Sequence, residues 1–124
     1  MTHIVEDQRM MVRIFVEATD EEAAGEVKEN LKTKVAPIGD LMGESTRPYW
    51  KIRGYFEIVF ELKPTRPVGQ IFDPLLASLG DGWQLHGGGN EPDRWAIWNP
   101  GPTSTFMSPK VRWANVECFL AKLS

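Results

Sequence analysis

The stretch Tyr49-Trp-Lys-Ile-Arg-Gly-Tyr-Phe-Glu-Ile-Val-Phe-Glu-Leu62 decides the fold of this chain. Trp50, Ile52, Phe56, Ile58, Phe60 and Leu62 share one parity, with Gly54 the only gap; Tyr49, Lys51, Arg53, Tyr55, Glu57, Val59 and Glu61 share the other. Successive side chains of a strand point to opposite faces, so the pattern predicts a long strand over 49–62 with one apolar and one polar side. Gly54 marks a bulge or a close backbone approach. Pro64 and Pro67 close the segment.

Upstream, Met10, Val12, Ile14, Val16 and Ala18 alternate with Met11, Arg13, Phe15 and Glu17, which predicts a second strand. Thr19 is placed to cap a helix and Glu22 to reach back to it, and Asp20, Glu21 and Glu22 suit the positive end of the helix dipole. Ala24, Val27, Leu31 and Val35 then recur at helical spacing, and Pro37 and Gly39 end the helix. Residues 38–48 read as a loop or a short irregular strand, because Gly39, Gly43, Ser45 and Pro48 interrupt any period.

Downstream, Ile71, Phe72, Leu75, Leu76 and Leu79 give a second helix within 68–79. Pro74 favours a short version starting near Asp73 after a bent lead-in. Strands are expected at 83–86, 94–98 and 111–120, the first two joined by the glycine-rich run 87–93. Strand, helix, long strand, helix and further strands predict an α+β two-layer sandwich, with two helices on one face of a mainly antiparallel sheet. A ferredoxin-like plait with a C-terminal strand extension is the specific expectation. Residues 1–9 are polar and read as a flexible arm, with 10–124 as a single domain.

The bulk properties narrow the classes of function. At 124 residues the chain is long enough to bury a core without disulfides or metals. Its 42% apolar and 25% charged residues are near globular averages, which argues against disorder. No apolar run reaches the roughly 20 residues of a membrane helix, and the first residues lack the pattern of a signal peptide. The single Cys118 precludes an intramolecular disulfide and suits a reducing compartment, so a cytoplasmic location is expected. A net charge of −3 argues against a general nucleic-acid binder, whose affinity comes from Lys and Arg on phosphates.

No motif specifies a reaction. Gly87-Gly88-Gly89 lacks phosphate-loop spacing and a following helix, and reads as a hairpin tip. His3, His86 and Cys118 are not paired at ligand spacing, so neither metal nor cofactor is expected. His86 reads as an edge histidine facing water, and Cys118 as a small core residue. Glu57 and Glu61 stand about 13 Å apart along a strand, too far for an acid/base pair on one bond.

Two surfaces carry more information. Tyr49, Arg53, Tyr55 and Glu57 line the polar side of the long strand, and Tyr and Arg are enriched at binding hot spots. Cross-strand pairing with Phe15 or the C-terminal tryptophans is the competing reading. Asp20, Glu21 and Glu26, with their acidic neighbours, form either a solvated helix face or a docking surface for a basic protein.

The pattern Trp95-Ala-Ile-Trp98-Asn, a Pro/Gly loop, then Val111-Arg-Trp113-Ala-Asn-Val-Glu117 resembles small bacterial immunity proteins of polymorphic-toxin and contact-dependent growth inhibition systems. The resemblance covers roughly the last quarter of the chain. It implies a cytoplasmic, non-catalytic protein that occludes the active site of a cognate toxin with a basic surface, without nucleic-acid or membrane partners. No contact residue is transferred by position. Two alternatives stay open: a small-molecule binder or small enzyme with a Trp-lined pocket using His86, Asp93 or Glu117, and a homodimer or other regulatory oligomer paired through the Tyr/Arg face.

Overall fold

A computed structural model describes residues 6–87 and 94–122. In chain order the elements are β1 (Glu6–Glu17), α1 (Glu21–Val35), β2 (Gly39–Pro48), β3 (Tyr55–Pro64), α2 (Val68–Leu79) and β4 (Gly80–Asp81). They are followed by β5 (Gln84–Gly87), β6 (Arg94–Trp98), β7 (Thr105–Phe106) and β8 (Val111–Lys122). Six strands form one antiparallel sheet in the order β2-β3-β1-β8-β6-β5, while β4 and β7 pair separately. The run β2-β3-β1-β8, with one helix after β1 and one after β3, is the expected plait. The β5–β6 hairpin extends it beyond β8.

The alternation in β1 and β3 sets which face is covered. Met10, Val12, Ile14 and Val16 lie opposite Leu62, Phe60, Ile58 and Phe56, and all are buried with the apolar stripes of both helices. Ala114, Val116 and Cys118 of β8 and Ala96 and Trp98 of β6 continue this layer. Burying each large aliphatic or aromatic side chain is worth about 1.5–3 kcal/mol, which makes this layer the main source of stability. β1 begins at Glu6, opposite Lys122, so the ladder takes in residues 6–9 of the segment expected to be an arm.

The 49–62 stretch is not one strand. β3 starts at Tyr55, and residues 50–54 form the turn of a β2–β3 hairpin, closed where the Tyr49 N–H donates to the Tyr55 carbonyl at 2.8 Å. Gly54 takes φ 84°, a left-handed conformation costly for other residues, and this reverses the chain. Trp50 and Ile52 share the parity of the core residues but leave the ladder, and Trp50 is 84% exposed. Residues 39–48, expected as a loop or a short irregular strand, form a ten-residue edge strand with a register shift between Leu41 and Gly43.

Both helices also differ in detail. Asp20, not Thr19, caps α1, accepting the Ala23 N–H at 2.8 Å. That makes Glu22 the second helical residue, so the expected reach-back pair does not form. α2 runs from Val68 to Leu79 with Pro74 inside it, rather than starting at Asp73. An interior proline costs about 3 kcal/mol. Burial of Val68, Ile71, Phe72, Leu75, Leu76 and Leu79 exceeds that severalfold.

The tryptophans of the C-terminal quarter separate onto two faces. Trp98 is buried, and its Nε1 donates to the Asp81 carbonyl at 2.8 Å; Trp83 Nε1 donates to the Leu76 carbonyl at 3.0 Å. Both rings pack on Phe106, with centroids 4.8 and 5.8 Å away. A Cβ at Gly80 would run into the Thr105 carbonyl and lie 2.7 Å from the Phe106 ring, so glycine permits β4 to approach β7. Trp95 and Trp113 point to the side of the sheet without helices.

Candidate functional site

The helix-free face is built by the odd-numbered residues of the central strands. Register sets Phe15 of β1 between Glu57 of β3 and Trp113 of β8, and Arg13 between Val59 and Asn115. Arg47 of β2 lies opposite Glu57 on its other side. The hairpin turn 50–54 stands at the end of this face where β1 stops and β8 starts.

Glu57 is the foundation of the face. It is 4% exposed, and its carboxylate accepts from Arg13 Nε at 2.9 Å, from Arg13 Nη2, and from Arg47 Nε at 3.0 Å. Burial pushes its pKa up. The hydrogen bonds and charges of Arg13 and Arg47 outweigh that, and the carboxyl is held below its ordinary value of 4.5. Arg13 in turn lies over the Phe15 ring, 5.4 Å from its centroid.

An aromatic recess lies beside this ion cluster. Phe15 packs against Tyr49 at 4.5 Å and Trp113 at 5.2 Å between centroids, with the rings tilted by 44° and 45°. Tilted rings at this spacing are the favourable arrangement for aromatic pairs. Phe15, Tyr49, Ile52, Tyr55, Arg112 and Trp113 line a concavity of about 360 Å³. Arg112 is held at its rim by Glu17 Oε2 at 3.0 Å and the Pro109 carbonyl at 3.1 Å. Next to it the exposed Trp50 carries Lys51 Nζ 5.1 Å from its ring centroid.

The residues singled out from the sequence divide accordingly. Tyr49 and Tyr55 are half-buried and line the recess together. Arg53 is exposed in the turn rather than in line with them on a strand. Glu57 is on the expected face but lies under two arginines, so it positions its neighbours instead of presenting a carboxylate. Asp20, Glu21 and Glu26 are exposed on α1 in the helical layer, apart from the recess, and Asp20 is engaged as the cap.

Arg13, Phe15, Arg47, Ile52, Arg112 and Trp113 complete the site. The alternation of β1 sets Arg13 and Phe15 on the polar side of that strand, and Phe15 and a C-terminal tryptophan are the cross-strand neighbours the sequence predicts. Arg47 sat in a segment without a period.

The other candidates lie elsewhere. His86 is exposed on edge strand β5 and stacks on Trp95 at 5.4 Å. Asp93 and His3 fall outside the described residues. Cys118 is buried, and burial pushes its thiol up to about 12. Among the described residues no group of three or more His, Cys, Asp or Glu could hold a metal ion, and no helix is long and apolar enough to cross a membrane.

No family model, curated protein or solved structure matches this chain.

Proposed function

We propose that this chain is an immunity protein, which neutralises one cognate toxin by binding it through the helix-free sheet face and occluding its active site. The observation that carries the reading is the recess of Phe15, Tyr49, Tyr55 and Trp113, flanked by the exposed Trp50 and Ile52. Large aromatic and arginine side chains held rigidly around a concavity supply most of the energy in tight protein interfaces. They do so at low entropic cost when their rotamers are already fixed by packing. Here the fixing comes from cross-strand contacts and from the Glu57 cluster. The resemblance of the C-terminal quarter to immunity proteins supports the same reading. Exposed carboxylates on α1 offer charge but no comparable apolar anchor.

Co-expression with a toxin encoded in the adjacent reading frame tests it. The expected result is rescue of growth, lost with Tyr55→Ala combined with Arg53→Ala. Full toxicity in the presence of folded wild-type chain would remove the reading for that pair.

A further inference from the structure

The charge around the recess specifies its partner more closely than the net charge of the chain does. Cations outnumber carboxylates around the recess: Arg13, Arg47, Lys51, Arg53 and Arg112 stand against Glu17 and Glu57. The two carboxylates are already paired, Glu57 with Arg13 and Arg47, and Glu17 with Arg112. The rim is therefore electropositive although the protein carries −3 overall. Complementary potentials speed encounter and penalise wrong partners.

We propose that the recess takes one aromatic or large aliphatic side chain from an acidic segment of the partner protein, whose carboxylates pair with Lys51, Arg53 and Arg112. The inference rests on the partner-binding reading above and deepens it, replacing a basic contact surface with an acidic one. About 360 Å³ is near the lower limit of ligand cavities, a size suited to a single anchoring side chain.

A protein segment fits better than single-stranded nucleic acid, the other polyanion an aromatic sheet face could meet. Nucleic-acid platforms offer open ring faces on which successive bases stack. Here the Phe15 ring is closed in by Tyr49, Trp113 and Arg13, at centroid distances of 4.5, 5.2 and 5.4 Å.

The test is a titration of the isotopically labelled full chain, followed by amide NMR shifts. The probes are a short acidic peptide with one central tryptophan, its counterpart with alanine at that position, a basic peptide with the same tryptophan, and oligothymidylate. The acidic tryptophan peptide is expected to shift Phe15, residues 49–55 and Trp113, and the other three to leave them in place. Lys51→Glu with Arg53→Glu, both in an exposed turn, is expected to weaken that binding about tenfold, or about 1.4 kcal/mol. Stronger binding of the basic peptide or of oligothymidylate at these amides overturns the proposal, as does an acidic peptide that moves none of them. Toxin affinity left unchanged by the double charge reversal would overturn this site and leave the immunity function standing. Specific peptide binding without toxin rescue would do the reverse.

Discussion

Arg13 donates through both Nε and Nη2 to a single oxygen of Glu57, leaving the other oxygen to Arg47. One buried carboxylate thus ties β1, β2 and β3 together on the face that carries the recess. Glu57→Gln keeps the shape but leaves two guanidinium groups without a counter-charge. It should lower stability by about 2 kcal/mol, discounted from the cost of breaking a fully buried pair because both arginines reach solvent. Urea unfolding should show an earlier midpoint with an unchanged slope; an unmoved midpoint would mean the cluster contributes no net stability.

The same carboxyl predicts an acid-sensitive component of stability. Its folded pKa is lowered, so the folded protein binds this proton less readily than the unfolded chain. The contribution is complete above the unfolded value near 4.5 and is lost as pH falls through the folded value. The stability gap between wild type and Glu57→Gln should therefore narrow below pH 4.5 and be constant around neutrality. A gap independent of pH would contradict this assignment.

Trp50 and Trp98 should respond to truncation in opposite ways. Trp50 is 84% exposed, so Trp50→Ala should change stability by less than about 0.5 kcal/mol while reducing partner affinity. Trp98 is 3% exposed with its indole N–H bonded, so Trp98→Ala should cost about 3–5 kcal/mol. Thermal or denaturant unfolding of the two variants, side by side, checks the contrast.

Cys118 should be inert in the native state. Its thiol titrates at about 12, against 9.0 when unperturbed, so almost no thiolate is present near neutrality. Thiol-specific reagents should modify it slowly in buffer and rapidly in denaturant. Because the folded value is raised, this group also makes stability fall as pH climbs above 9.0.

Gly80→Ala should loosen the β4–β7 ladder without touching the recess, since its Cβ meets the Thr105 carbonyl and the Phe106 ring. A loss of about 1–3 kcal/mol is expected from such overpacking. Peptide-induced shifts at Phe15 and Trp113 should be retained.

Periodicity made β1, α1, β6 and the second half of the decisive stretch legible, because each buries one parity or one stripe. It failed where burial does not alternate. β2 is an edge strand almost wholly exposed, so Gly39–Pro48 carries no apolar rhythm to read. Trp50 and Ile52 kept the rhythm by coincidence of parity, and only the backbone of Gly54 reveals the turn. At the site, the outward face of Tyr55 and Glu57 could be read directly. Their roles could not, because Arg13, Phe15, Arg47 and Trp113 reach them from strands that only register brings alongside.

The position of β8 has a consequence for biosynthesis. It fills the gap between β1 and β6, and its Arg112 joins Glu17 across 95 residues. While a ribosome is still making the preceding segments, β1 and β6 both present bare ladder edges, and bringing such distant pieces together is slow. A chain stalled before Val111 would be left with two such edges in mid-sheet, the kind of template on which nascent proteins aggregate.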